Sequence, residues 1–215
     1  MIISPGRGYI FVHVPKTGGT SVALALEARA MKDDILIGDT PKARRRRDRV
    51  AKLKAHRRLW KHSRLSDLDG LLAPEQIHAM RVVTIVRNPW DRMVSYYFWL
   101  RRQSFDHPAV GRAHAMPFDA FLRQPETGAE IAADQIDDYL RLADGTLPRA
   151  TILRQENLAE DLAAFAAEIG IAVELPHENL SERPSDWRGL YDADTAEIVA
   201  RAYADDISRY ALTFS

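Results

Sequence analysis

Residues 9–21 read Tyr9-Ile-Phe-Val-His-Val-Pro-Lys-Thr-Gly-Gly-Thr-Ser21 and predict the element around which the fold is built. The apolar, β-branched and aromatic run Tyr9–Val14 is typical of a buried strand. The pair Gly18-Gly19 allows the chain to turn sharply after this strand. Thr20 or Ser21 then stands where a hydroxyl can cap the helix that follows. The stretch therefore predicts a strand, a glycine turn and a helix in direct succession.

This turn also predicts an anion-binding site. Backbone N–H groups meet at the start of the helix, where the helix dipole favours negative charge. Lys16 adds an ammonium group, and Thr17, Thr20 and Ser21 add hydroxyl donors, so we expect a phosphate or a chemical relative of phosphate. The turn is not a Walker A loop, in which the lysine follows the last glycine, because Lys16 precedes both glycines. The alternative interpretation is an ordinary β-turn-α connection with a surface lysine.

A second strand and helix follow further along the chain. Arg81–Val86 is a continuous apolar run, which suits a central parallel strand covered on both faces. Pro89 then begins a helix. Arg87, at the strand end, carries a planar fork that matches a phosphate, and Ser95 lies two turns into the helix. The alternative for Arg87 is a salt bridge to Asp91 or another carboxylate.

Length and composition limit the class of protein. A chain of 215 residues with 46% hydrophobic residues can form one core, so we expect a single domain over residues 1–215. The formal net charge is zero, which implies no general attraction to nucleic acid or membranes. The absence of cysteine excludes disulfides, thiolate metal sites and a cysteine nucleophile. No signal peptide or membrane span is recognised, so a cytoplasmic location is expected.

The charge is nevertheless uneven along the chain. Lys42–Arg64 contains twelve Lys and Arg residues against one Asp. Val50, Leu53, Arg57 and Trp60 have near-helical spacing, which predicts a helix with one apolar stripe. The tetrad Arg44–Arg47 is either a solvated basic face or a surface that receives an anionic cosubstrate or acceptor. RNA binding is a third hypothesis, although no nucleic-acid module supports it.

The remaining elements complete an α/β pattern. Residues 1–8 are interpreted as a lead-in rich in turn formers, and 103–128 as an irregular region with one short helix at Pro117–Leu122. Further predicted elements are a short strand or an extended connection at Asp34–Gly38, a helical turn starting at Pro74, a strand at Ala150–Leu153, a helix at Leu158–Ile169 closed by Gly170, and a helical region at Asp192–Tyr210.

Two motifs in this order resemble a known family. Phe11–Ser21 resembles the 5′-phosphosulfate loop of sulfotransferases that use 3′-phosphoadenosine 5′-phosphosulfate (PAPS). Ile85–Tyr97 resembles the 3′-phosphate motif of the same enzymes, with Arg87 and Ser95 at the family's spacing. The order and spacing are similar to the branch related to carbohydrate 2-O-sulfotransferases. Looser matches occur at Leu153–Leu158, Glu178–Arg183 and Tyr203–Ile207.

The resemblance implies a P-loop-like, three-layer α/β fold with a central parallel sheet flanked by helices. It implies PAPS as cosubstrate, no metal, and a hydroxyl acceptor that is expected to be a carbohydrate, with anionic carbohydrates included. Neither a nucleic-acid partner nor a membrane span is expected. The cosubstrate-binding residues that it implies are Pro15, Lys16, Thr17, Gly18, Gly19, Thr20, Ser21, Arg87, Ser95 and Arg183. Arg154 is a weaker candidate.

The resemblance also implies a mechanism. The acceptor hydroxyl attacks sulfur in line, while Lys16 and the amides of residues 17–20 stabilise the leaving group. A histidine is the natural general base near neutral pH, and His62 is the first candidate because it lies between the two motifs. His13, at the end of the first strand, is the second candidate, and an orienting or packing role is its alternative.

Two other function classes remain open from the sequence. A P-loop kinase-like phosphotransferase would keep the fold, but Lys16 is displaced from the kinase position. Arg87 also stands where a magnesium-binding aspartate would normally end the second strand. A non-catalytic module would use the basic segment to bind an anion, RNA or a glycan, with steep salt dependence. The acceptor and the oligomeric state are not specified by these residues.

Overall fold

The computed structural model describes residues 1–176, 183–184 and 186–214. The chain forms two compact units. The first contains Met1–Val86 and Ile136–Glu178, and the second contains Arg87–Gln135 and Asn179–Ser215. This division does not decide the number of domains, so the single domain stays a prediction.

A five-stranded sheet lies in the first unit, with the order β3-β1-β2-β4-β5. Its strands are β1 (Ile2–Ser4), β2 (Tyr9–Phe11), β3 (Ile35–Leu36), β4 (Arg81–Val86) and β5 (Ala150–Arg154). The α/β prediction is confirmed. β2, β4 and β5 are parallel, but β1 is antiparallel to both β2 and β3, so the sheet is mixed rather than parallel throughout.

The antiparallel strand β1 corrects the interpretation of residues 1–8 as a lead-in. Ile2 and Ile3 are fully buried, and the 3₁₀ turn Pro5–Arg7 with Gly8 at φ +64° returns the chain directly into β2. So short a connection can join only antiparallel neighbours, because a parallel crossover needs a dozen or more residues. The turn formers therefore mark a hairpin, and the apolar residues before them form a strand.

The helices are α1 (Gly19–Ala28), α2 (Pro41–Arg45), α3 (Arg47–Val50), α4 (Pro74–His78), α5 (Pro89–Leu100), α6 (Pro108–Ala115), α7 (Phe118–Leu122), α8 (Pro125–Ala132), α9 (Ile136–Leu140), α10 (Leu158–Glu168), α11 (Ala193–Ala202) and α12 (Ala204–Tyr210). In the part of the chain that the structure describes, no helix combines the length and hydrophobicity needed to cross a bilayer.

The core of the first unit lies between the sheet and the two helices α1 and α10. Phe11, Val83 and Leu153 come from three adjacent parallel strands and pack in one cluster with residues of both helices. Tyr9 contacts Phe165 of α10 edge to face, with ring centroids 5.7 Å apart. β4 is buried from Val82 onward, as its continuous apolar run predicted.

The second unit is helical and contains an aromatic core. Its cluster includes Tyr97 of α5, Phe118 and Phe121 of α7, and Tyr203. The short helix predicted at Pro117–Leu122 is confirmed as α7, with Pro117 as its N-cap. The prediction of irregular chain around Pro108 and Pro125 is wrong, because both prolines begin helices, and the first helical residue needs no N–H donor.

The basic segment differs from its prediction. No helix runs from Val50 to Trp60, since α3 ends at Val50 and the following residues form turns, bends and irregular chain. Arg46 donates to the carbonyls of Met31 and Asp34, and Arg49 to that of Lys32. These two arginines therefore hold the preceding loop. The four predicted positions do not form a buried apolar stripe, since Arg57 is exposed and lies 3.7 Å from Asp67, and Trp60 is 54% exposed.

Candidate active site

The loop after β2 is held against β4. Val12 donates its N–H to the carbonyl of Val83 at 2.9 Å, and the Thr84 hydroxyl donates to the Val12 carbonyl at 2.9 Å. α1 begins at Gly19, with Gly18 as its N-cap at φ +90°. The predicted cap by Thr20 or Ser21 is therefore wrong, because both residues lie inside the first turn of the helix.

The backbone of this loop has the conformation of an anion-binding turn. Lys16 has φ +64° and Gly18 has φ +90°, so two of three consecutive residues lie in the left-handed region. For a non-glycine residue such as Lys16 this conformation costs on the order of 1 kcal/mol and is concentrated at ligand-binding sites. Left-handed residues in a turn create concavities of backbone N–H groups that bind anions. Gly18 and Thr20 are exposed, while Pro15, Lys16 and Ser21 are half-buried.

Thr17 has a different role from the one predicted for its hydroxyl. The side chain is fully buried, and its hydroxyl donates to the Val14 carbonyl at 2.9 Å. The hydroxyl therefore closes the loop internally instead of presenting a donor to a ligand. Thr17 remains a candidate for anion binding only through its backbone amide.

Gly19 is packed tightly against the ring of His13. A Cβ atom at Gly19 would lie 2.2 Å from Cδ2 and 2.5 Å from Nε2 of His13. The ring cannot retreat easily, because it is only 6% exposed and stacks on Phe11 with centroids 5.8 Å apart. Glycine at this position is thus a steric requirement of the loop.

We expect the substitution Gly19→Ala to distort the loop. Overpacking of this kind costs about 1–3 kcal/mol, which corresponds to a fall in the melting temperature of roughly 2–12 °C for a chain of this size. The distortion should also weaken binding of an adenosine bisphosphate. Differential scanning fluorimetry and calorimetric titration measure the two effects.

Gly128→Ala is the matched control, because a Cβ on Gly128 in α8 meets no described atom within 4 Å. Alanine is the better helix former by about 1 kcal/mol, so this variant should be at least as stable as the wild type. A Gly19→Ala protein with unchanged melting temperature and affinity would contradict the steric assignment.

His62 lies beside the same loop, as a part-buried residue with a fixed orientation. Its Nδ1 is 2.7 Å from the carbonyl oxygen of His13. A carbonyl oxygen only accepts, so Nδ1 carries the hydrogen, and Nε2 is the basic nitrogen of the neutral ring. The ring also lies edge to face against His13, with centroids 4.6 Å apart, and against Trp60, with centroids 5.1 Å apart.

The turn that carries His62 is fixed by its own contacts. Ser63 is fully buried, its hydroxyl accepts from the N–H of Trp60 at 3.0 Å, and its N–H donates to the Trp60 carbonyl at 3.0 Å. Lys61 is 3.0 Å from Asp39. Trp60 is nonetheless 54% exposed. The turn therefore holds His62 and an exposed indole side by side.

His13 fits the orienting role better than the role of base. Burial lowers the pKa of the His13 imidazole well below its ordinary value, so the ring stays neutral and weakly basic. Its carbonyl orients His62 and its ring packs on Gly19. The geometry supports His62 as the candidate base.

The second predicted motif forms a buried charged cluster in the other unit. Nε of Arg87 donates to Oδ2 of Asp91 at 2.8 Å, and Nη1 of Arg183 donates to Oδ1 of the same carboxylate. The alternative interpretation, a pair between Arg87 and Asp91, is therefore present in the structure. Ser95 is buried in the same helix, α5, at 5% exposure.

The structure says less about the roles of the other residues considered from the sequence. Arg154 is 3.7 Å from Glu156, and His56 is 3.0 Å from Asp69. His177 and most of the Glu178–Arg183 motif lie outside the described residues, except Arg183 itself. Among the residues that the structure describes, no group of three or more His, Asp or Glu side chains is arranged to hold a metal ion.

Two contacts of the candidate site residues were not predicted from the sequence. The carbonyl of His13 orients His62 although the residues are 49 positions apart, and no local signal indicates a backbone acceptor. Asp91 was predicted only as a salt-bridge partner that Arg87 would have in place of a phosphate, whereas it also contacts Arg183, 92 positions away. The signal available for Asp91 was its i+4 spacing from Arg87.

Comparison with known proteins places the chain in a family. A structure described as mouse sulfotransferase SULT7A1 complexed with PAP matches 93% of this chain and 64% of its own length, at 15% identity and a TM-score of 0.35. The chain thus spans a little under two thirds of that protein. A comparison with curated protein sequences gives no significant match. The family model described as "Sulfotransferase family" matches residues 1–213, and the chain therefore belongs to the sulfotransferase family.

Proposed function

We propose that this protein transfers the sulfuryl group of PAPS to the hydroxyl of an acceptor. Family membership over residues 1–213 supports the reaction class. The observation that carries the proposal is the 2.7 Å contact between His62 Nδ1 and the carbonyl of His13. This contact orients a histidine base beside the turn in which Lys16 and Gly18 adopt the anion-binding conformation.

The residues of the two motifs fit the two charged ends of PAPS. The exposed Gly18 and Thr20 at the start of α1 present backbone amides, and Lys16 supplies a cation for the 5′-phosphosulfate. Pro15, Gly19 and Ser21 shape this loop. Arg87 would bind the 3′-phosphate through its planar fork, with Ser95 and Arg183 as further contacts.

The reaction consists of one displacement at sulfur. The acceptor oxygen forms a new S–O bond, and the bond between sulfur and the bridging phosphate oxygen breaks, which leaves adenosine 3′,5′-bisphosphate (PAP). The acceptor proton passes to Nε2 of His62. Lys16 and the amides of residues 17–20 stabilise the negative charge that develops on the bridging oxygen, and donors of this kind are worth about 3 kcal/mol each.

We propose a carbohydrate as the acceptor. The exposed Trp60 ring lies against His62, so an acceptor bound at His62 would lie near this indole. Aromatic side chains with one open face offer apolar contact to the C–H groups of a sugar ring. The basic segment Lys42–Arg64 suits an acceptor that carries negative charge. A cytoplasmic location remains part of the proposal.

Calorimetric titration with PAP and with ADP tests the donor assignment. The two ligands share the adenosine and the 5′-phosphate, and only PAP has the 3′-phosphate, so we expect clear preference for PAP. Equal affinity for both would contradict the proposal and favour a kinase-like nucleotide site. Binding of anionic polymers with a steep salt dependence and no effect of PAP would favour the non-catalytic module.

A further inference from the structure

Asp91 occupies an unusual place in the second unit. It lies in the first turn of α5 and is only 7% exposed. Each of its carboxylate oxygens accepts from a different arginine, Oδ2 from Arg87 and Oδ1 from Arg183. One carboxylate thus joins Arg87, the residue that follows β4, to Arg183, which lies 92 positions after Asp91 in the sequence.

We propose that Asp91 is a positioning residue that orders Arg87 and Arg183 into one binding site for the 3′-phosphate of the donor. The inference rests on the proposed function, because it assigns the 3′-phosphate to Arg87. Asp91 itself would not touch the phosphate, since two negative groups repel each other. It would act through the two guanidinium groups.

The physical argument begins with the shape of the guanidinium group. Its five N–H donors lie in one plane, so a hydrogen bond at Nε fixes the plane in which the other donors can meet a phosphate. An arginine that is already oriented loses less side-chain entropy when the ligand binds. Asp91 makes this contact with Arg87 at 2.8 Å in a buried setting, where solvent screens little.

The second part of the argument concerns the repulsion between the arginines. Burial lowers the pKa of Arg87, and the nearby positive charges of Arg183 and Arg92 lower it further, while Asp91 acts in the opposite direction. Two guanidinium groups that converge on one phosphate repel each other until the phosphate arrives. A carboxylate shared between them holds them together in the unliganded protein.

A neighbouring ion pair shows what a purely structural arrangement looks like. Arg92, also in α5, donates through Nη1 to the Asp134 carbonyl at 3.0 Å and through Nη2 to its Oδ2 at 2.6 Å. Its guanidinium also lies over the Tyr203 ring, 5.6 Å from the centroid. Two nitrogens of Arg92 thus bind the same residue, Asp134, and the pair links α5 to the loop that follows α8.

The variant Asp91→Asn tests the inference, with PAP and ADP as probes in calorimetric titrations. The variant keeps the shape of the side chain but removes the charge that holds the arginines together. We expect the preference for PAP over ADP to fall by about 10-fold or more, in the range of a lost charge-assisted contact. Affinity for ADP, which has no 3′-phosphate, should be unchanged. Asp134→Asn is the matched control and should lower the melting temperature without changing the preference.

The outcomes separate this inference from the proposed function. Equal binding of PAP and ADP by the wild type would refute the donor assignment itself. A wild type that prefers PAP, together with a folded Asp91→Asn variant that keeps this preference, would refute the positioning role. Should Asp91→Asn fail to fold, Arg183→Ala provides the test. The preference must fall in that variant too, and its retention would overturn the inference.

Discussion

Replacing His62 with alanine is expected to lower the turnover number by about 10²–10⁴-fold, the usual contribution of a general base. The expectation follows from the hydrogen bond between Nδ1 and the His13 carbonyl, which makes Nε2 the proton acceptor. PAP binding should be unchanged, because His62 would act on the acceptor hydroxyl and not on the donor. Transfer of labelled sulfate from PAPS to a polysaccharide acceptor, together with a PAP titration, measures both quantities.

Two further histidine variants make this result interpretable. His56→Ala removes an exposed histidine of the same basic segment, which pairs with Asp69 at the surface, and should leave turnover unchanged. His13→Ala leaves a cavity against Gly19 and should therefore weaken PAP binding as well as turnover. Turnover that survives His62→Ala would move the role of base to another group.

The elements predicted correctly are those in which local sequence and tertiary packing agree. β4 matches its predicted bounds because four of the five residues Val82–Val86 are apolar and all five are buried. α5 begins at Pro89 as predicted, since proline is favoured in the first helical turn. β1 was missed because a three-residue strand is stabilised by pairing on both sides, with β2 and β3, and not by its own length.

The candidate site also combines features that the local sequence predicts with features that depend on long-range contacts. The loop around Lys16 and the position of Arg87 are properties of short contiguous motifs, so the sequence contains them. The contacts that orient the functional groups are long-range. His62 depends on the His13 carbonyl, and Asp91 pairs with Arg183, so neither contact can be derived from local spacing. Close packing cannot be predicted from local sequence either, as the contact of the His13 ring with Gly19 shows.

Replacing Arg87 with alanine is expected to remove most of the preference for PAP over ADP. Loss of a hydrogen-bonded charge at a buried site costs about 2–5 kcal/mol, which is roughly 30-fold or more in affinity. Arg87 is 8% exposed, so little water is available to replace its contact with the phosphate. ADP affinity should change little. Titration of both nucleotides into wild type and variant measures the preference directly.

Arg87→Lys and Arg123→Ala complete this test. Lysine keeps the positive charge but not the planar fork, so the preference should lie between those of the wild type and Arg87→Ala. Arg123 is also in the second unit and pairs with Asp192 at 2.6 Å, but its side chain is 39% exposed. A surface pair contributes about 0–1 kcal/mol, so Arg123→Ala should bind PAP as the wild type does. If Arg87→Ala also retained the wild-type preference, the 3′-phosphate could not be bound by this arginine.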